Sequence, residues 1–315
     1  MLEPRVSPLT GDNTIFDTPV LFLVFNRPEA TARVFEGIRK AKPRSLYVAS
    51  DGARDNRAEE SILVNEVRRI ATEVDWPCDV KTLFREKNLG SKDAVGEAIT
   101  WFFQHEEQGI ILEDDCLPSQ SFFPFCQQML EMYRDEERVF LISGYNAQQR
   151  WKPNEEDYFF SNFGGTWGWA SWRRAWEYYD SEMSRLDELV RTNFFTQLLG
   201  EKLGQLRGRQ LVSAKKSIDG GEISAWDYPW AYSRHLQGGL ACVPSVSMIS
   251  NIGFGPEATH TKVPPPNMIE ALNLQLPAKA NPHLVADVKY DLKWLGRRNF
   301  CSRVFNRLRR MWRRR

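Results

Sequence analysis

Cysteine is scarce and unpatterned: Cys78, Cys116, Cys126, Cys242 and Cys301 form no CxxC pair. Their odd number and irregular spacing argue against a zinc cluster or a disulfide framework and make a reducing, cytoplasmic compartment the expectation. Long apolar runs are missing too. No segment approaches the roughly 20 apolar residues of a membrane-spanning helix. The opening MLEPRVSPLTGDNTIFD lacks the apolar stretch of a signal peptide. No GxGxxG or GxxxxGK[ST] occurs, so a dinucleotide or P-loop site would lack its usual motif. Internal repeats are absent as well. The formal net charge is only +1, but it is unevenly distributed. From Lys289 to Arg315 there are eleven Lys and Arg against one acid, Asp291. The first 288 residues therefore hold 31 basic and 40 acidic side chains, a balance of −9. An acidic body gives no support to nucleic acid as a partner.

The chain does contain alternating strand and helix patterns, and 315 residues are enough for a sizeable core. After a polar segment, residues 1–18, PVLFLVFNR (19–27) reads as a strand buried on both faces. PEATARVFEGIRKA follows with helical spacing, and Pro28 suits the first turn. SLYVASDG, DVKTLFREKNLG, the apolar run into Glu113-Asp114-Asp115, and RVFLISGYN read as further strands, the first three separated by helices. A further helix falls near residues 120–134. This alternation predicts an α/β fold with a mostly parallel sheet flanked by helices. Such sheets bind ligands beyond the carboxyl ends of their strands, where Arg27, Asp51, Asn88 and Asp115 fall.

Three acids at the end of a buried strand repel one another and lose solvation. Either they form a solvated strand end, or they hold a divalent cation against a phosphate. Strand alternation would point Glu113 and Asp115 one way and Asp114 the other. Mg2+ and Mn2+ take oxygen ligands, often one or two carboxylates plus phosphate oxygens. Beyond residue 158 the alternation stops. Gly164, Gly165 and Gly168 surround Trp167, Trp169 and Trp172, either in a core or in a tight loop presenting aromatic faces to a sugar. Asp227, in AWDYPW, is a candidate general base or the partner of an indole N–H, with Asp219 and Glu222 as rivals. His105 and His235 fall in helical stretches and read as structural.

A first strand ending in FNR, a second ending in SDG, the loop NLG, and ILEDD followed by SQSFFPF resemble a nucleotide-sugar glycosyltransferase of the GT-A fold. The resemblance is to the N-acetylglucosaminyltransferase I type and its bacterial, family 2-like relatives. GGTWGWAS resembles that family's acceptor segment, AWDYPW its catalytic segment, and VPSVSMISNIGFGPEATHT its donor-closing loop. The common pattern continues with an Arg-Asn pair where this chain reads NLGSKDAVG. The resemblance implies one GT-A (Rossmann-like) catalytic domain over residues 19–262. It also implies an inverting transfer from a nucleotide-diphosphate sugar, with UDP as the expected nucleotide, to a glycan or lipid-linked acceptor. Arg27, Asp51, Asn88, Glu113, Asp114, Trp226, Ser247 and Asn251 would meet the donor, and Trp167 and Trp169 the acceptor. Asp115, joined by His260, would hold Mn2+ or Mg2+, and Asp227 would be the base. Two rivals are a nucleotidyltransferase of similar fold and a non-catalytic, membrane-associated glycan-binding relative.

Residues 263–315 read as a linker and a basic amphipathic tail, a helical extension separable from the body at about residue 289. Cys301, Val304, Phe305, Leu308, Met311 and Trp312 recur at helical spacing opposite arginines. That pattern suits an interfacial helix on the anionic inner face of a cell membrane.

Overall fold

The computed structural model describes residues 16–57, 59–253 and 269–296. The expectations for His260 and for the helix beyond residue 296 lie outside them. Strand β1 (Val20–Val24) is buried throughout. Val20, Phe22 and Val24 enter one core, while Leu21 and Leu23 enter the other. Successive strand side chains point to opposite faces, so a continuous apolar run requires cover on both. β2 (Ser45–Ser50) divides in the same way, with Leu46 and Val48 on one side and Tyr47 and Ala49 on the other.

β1 pairs in parallel with β2 and with β4 (Gln108–Glu113), and β2 pairs in parallel with β3 (Asp79–Phe84). Helices α1 (Pro28–Ala41), α2 (Glu60–Thr72) and α3 (Gly90–His105) connect them. Pro28 opens α1 as expected. Past β4 the sheet continues with β8 (Trp169–Trp172), β6 (Val139–Ser143), β9 (Leu240–Pro244) and β7 (Tyr158–Ser161). β8 runs antiparallel to both neighbours and β7 antiparallel to β9. The other six strands of this eight-stranded sheet share one direction. The fold is α/β with a mostly parallel sheet, as the alternation predicts.

Two departures matter for function. Trp169 and Trp172 sit in a strand near the sheet's centre, not in a loop. Ala170 and Trp172 face one core and Trp169 the other, and Ser171 Oγ donates to the Phe140 carbonyl at 2.7 Å. The second departure is that the packed body does not end at residue 262. The stretch after Ile269 runs along the body: Leu272 N donates to the Ser247 carbonyl at 2.7 Å, and Asn281 N to Tyr158 Oη at 2.8 Å. Residues 288–296 are helical, and Tyr290, Asp291, Trp294 and Leu295 are buried. Asp291 accepts Ser161 Oγ at 2.5 Å and Asn162 Nδ2 at 2.8 Å. Helical spacing gathers these four side chains on one face, so this part of the expected tail belongs to the core.

The remaining helices are α4 (Phe122–Met132), α5 (Arg173–Trp176), α6 (Leu186–Arg191), α7 (Phe194–Leu199), α8 (Glu201–Asp219) and α9 (Asp227–Leu236). Met183, Leu186, Leu189, Phe195, Leu211 and Tyr232 join α6 to α9 in a smaller core. A short antiparallel pair, β5 (Cys116–Pro118) with β10 (Ile249–Asn251), lies beside the main sheet.

Candidate active site

The carboxyl ends of β1 to β4 open into a cleft of about 810 Å³. Arg27, Asp51, Asn88, Glu113, Asp114, Asp115, Trp167, Trp226, Asp227 and Asn251 all line it. Residues separated by up to 224 positions in sequence, Arg27 and Asn251, thus meet in one place.

β4 ends at Glu113, and Asp114 and Asp115 form a turn. Strand alternation therefore does not extend to them. Arg27 Nη1 reaches both, at 3.0 Å to Asp114 Oδ1 and 2.7 Å to Asp115 Oδ2. The expectation that Asp114 would point away from its neighbours fails because the turn rotates the backbone. Asp114 Oδ2 also accepts Phe25 N at 3.1 Å. β10 carries the opposite wall. Pairing of Asn251 with Cys116 brings Asn251 Nδ2 to 3.3 Å from Asp115 Oδ1. Gly253 lies so close that an added Cβ would approach Asp115 Oδ2 to 2.1 Å.

The cluster carries more negative than positive charge. Burial, followed by Asp115, Asp114 and Asp227, pushes the Glu113 carboxyl well above the usual range. Burial also raises Asp114 to about 6, against the pull of Arg27 and with Asp115 adding to the rise. Burial disfavours the charge on Arg27, but Asp114 and Asp115 more than restore it. Among the described residues, no three His, Cys, Asp or Glu side chains form a ready metal centre. The donor set is nonetheless all oxygen and in surplus negative charge. That composition fits a hard divalent cation held by one or two carboxylates and completed by phosphate oxygens. Asp115, with Asp114 beside it, could hold such an ion.

Several expected contacts have other duties. Asp51 Oδ1 accepts Gly52 N at 2.9 Å and Leu89 N at 3.0 Å, while Oδ2 accepts Asn88 Nδ2 and Gly90 N, both at 2.9 Å. Its carboxylate thus ties the end of β2 to the start of α3 at the wall of the cleft. Asn88 Nδ2 also donates to the Gly52 carbonyl at 2.8 Å, which leaves Oδ1 to meet a ligand. Ser247 is fully buried and its Oγ donates to the Ile249 carbonyl at 3.1 Å, so it cannot touch a donor. The stretch expected to close over a diphosphate is, through Asn251, a packed strand. Trp169 is 0% exposed and stacks on Trp226 with ring centres 5.7 Å apart, so it supports the wall and cannot meet an acceptor. Trp226 shows 3% of its surface. Trp167 is the half-buried indole of the cleft, edge-on to Tyr145 at 4.7 Å.

Asp227, the first residue of α9, faces the cleft close enough to Glu113 for their charges to interact. The rival acids do not line the cleft: Glu222 accepts Ser217 Oγ and Asp219 pairs with Lys215. His105 and His235 lie in helices away from it. Sequence reasoning missed Arg54 and Arg85, which also line the cleft. Arg54 pairs with Glu60 and covers the Phe25 ring at 5.4 Å, and Arg85 pairs with Glu97 at 3.1 Å. Both lie just past strand ends, so the rule that selected Asp51 and Asn88 could have found them.

No protein-family model matches this chain, and no curated protein does. Solved structures of low similarity do. HddC from Yersinia pseudotuberculosis is 10% identical, with 52% of this chain and 81% of that one covered at a TM-score of 0.31. A UDP-glucose pyrophosphorylase complexed with UDP-glucose is 12% identical, covering 55% and 80% at a TM-score of 0.29. An apo UDP-glucose pyrophosphorylase is 10% identical, covering 75% and 93% at 0.33. At these TM-scores the likeness carries no argument about chemistry.

Proposed function

We propose that the chain is a metal-dependent, inverting glycosyltransferase that uses a nucleotide-diphosphate sugar, with UDP as the nucleotide. One observation carries this reading. A carboxylate from the second half of the chain, Asp227, faces the acidic end of β4 across one cleft. Sugar transfer from a diphosphate needs a base for the acceptor hydroxyl on one side and charge neutralisation for the leaving group on the other. Asp227 opens α9 and lies in the cleft wall. It would take the hydroxyl proton as the acceptor oxygen bonds to the anomeric carbon and the bond from that carbon to the diphosphate breaks. One such displacement inverts the anomeric centre. Asp115 and Asp114 would hold Mn2+ or Mg2+, which would neutralise charge on the departing diphosphate. Arg27 would then exchange part of its bonding from carboxylate to phosphate, a geometry guanidinium suits. Trp167 offers an aromatic face to the acceptor.

A nucleotidyltransferase usually places a Gly-rich, basic loop after its first strand, whereas this chain has Phe25-Asn26-Arg27-Pro28. Product identity decides between the two. Incubated with Mn2+ and UDP-sugars, the chain should release UDP, using water or a simple alcohol when no natural acceptor is present. Formation of UTP from UDP-sugar and pyrophosphate, without UDP release, would overturn the proposal.

A further inference from the structure

The helix at residues 288–296 has two unlike faces. Tyr290, Asp291, Trp294 and Leu295 are buried, whereas Val288, Lys289, Leu292 and Lys293 are exposed. Val285, just before the helix, is 73% exposed and Val288 57%. Adjacent apolar side chains left in water at these levels mark a surface that another body covers. The acids that could oppose cations there are already engaged. Asp291 points inward to Ser161 and Asn162, and Asp287 is paired with Lys152 at 2.8 Å and with Trp151 Nε1 at 2.9 Å. Among the described residues, the exposed helical face therefore presents lysine and apolar side chains and no acid, with Lys293 Nζ lying 4.7 Å from the centre of the Trp151 ring at its edge. The sequence continues in the same sense, with nine arginines and no acid from Arg297 to Arg315.

We infer that Val285, Val288, Lys289, Leu292 and Lys293 form a docking surface for an anionic lipid bilayer. The chemistry is that of an interfacial helix, with short apolar side chains entering the headgroup region and lysines meeting anionic headgroups. An acidic protein partner would suit the lysines but gives no reason for three exposed aliphatic side chains among them. A second copy of this chain is disfavoured, because a twofold contact would bring the lysines of both copies together. Ring contacts connect this helix to the cleft. On the inner face Trp294 meets Tyr145 at 6.1 Å, and Tyr145 meets Trp167 at 4.7 Å. The bilayer would therefore lie on the Trp167 side of the cleft, which suits an acceptor presented from a membrane. The docking surface itself does not depend on the proposed catalysis.

Partition of the full chain into vesicles of phosphatidylcholine, with and without phosphatidylglycerol, tests the inference by lipid titration and flotation. Binding should require the anionic lipid and weaken with salt. Lys289→Gln with Lys293→Gln should weaken partition about 30-fold, since each cation near an anionic surface contributes about 1 kcal/mol. Val285→Ser, Val288→Ser and Leu292→Ser together should weaken it by a similar factor, with thermal melting and UDP binding unchanged. If both sets of substitutions leave partition as in the parent, the inference is overturned. It is equally overturned if the parent sediments as a dimer that these substitutions dissociate.

Discussion

Among the described residues, Arg27 is the cation paired with both Asp114 and Asp115. Its guanidinium is the counter-charge for Asp114 and Asp115, and the carboxyls of Glu113 and Asp227 lie close by. A cation and a diphosphate arriving together would satisfy both the carboxylates and the arginine. Metal and nucleotide should therefore bind cooperatively, and Asp115→Asn should remove most of the Mn2+ dependence of UDP binding. Calorimetric titration with and without Mn2+ checks this, and unchanged metal dependence would exclude Asp115 as the ligand. On the proposed reading, Asp227 would act on a different step. Asp227→Asn should leave UDP affinity within a small factor and lower turnover by about 100-fold or more, the usual scale for losing a general base. Equal losses in affinity and turnover would point instead to a role in shaping the cleft.

Single elements of secondary structure set the geometry around these residues. The β5–β10 pair brings Asn251 and Gly253 against Asp115, and α9 carries Asp227. The helix at residues 288–296 binds the end of β7 through Asp291, Ser161 and Asn162. Burial pushes Asp291 up from 3.8 to about 6, although its bonds to Ser161 and Asn162 oppose the rise. The folded protein thus binds this proton more tightly than the unfolded chain does, so stability is fully present below the unfolded value. It falls as pH rises through about 6, by about 3 kcal/mol for a shift of this size. Asp291→Asn removes the charge that must be buried. Its melting temperature should gain on the parent's as pH rises from below 4 to above 7. A constant difference across that range would mean that Asp291 does not titrate between the two states.

At the scale of the whole molecule, the terminal helix is part of the body. Tyr290, Trp294 and Leu295 fill the core that backs the sheet beside Tyr145 and Trp151. Removing residues 289–315 should therefore cost the fold, not only a tail. Loss of one buried Trp alone typically costs 3–5 kcal/mol, so this truncation should melt far below the parent or fail to fold. Removing only residues 297–315 should leave the melting temperature and UDP binding close to those of the parent. Calorimetry on the two truncations separates these outcomes. If both melted alike, the packing of residues 288–296 would contribute nothing.

Local pattern was enough to read the first half of the architecture. Val20–Val24, Ser45–Ser50 and the run into Glu113 are apolar on both faces, and the helices between them have their own period, so the parallel sheet and its strand-end residues were legible. What lay beyond local pattern was decided by partners distant in sequence. A Trp-rich segment can be a binding loop or a strand, and Trp169 became a buried strand residue because β4 and β6 paired on either side of it. Ser247 looked available until the chain after Ile269 packed over it. The direction of Asp114 depended on where β4 stopped, and the duties of Asp51 on the approach of α3. The basic composition near the C-terminus was plain in the sequence. Its single acid, Asp291, turned inward only because Ser161 and Asn162, some 130 residues earlier, offered buried donors. Residue chemistry and period are local and can be read from the chain alone. Which face is buried, and which polar atom is already bonded, depends on contacts that only folding brings together.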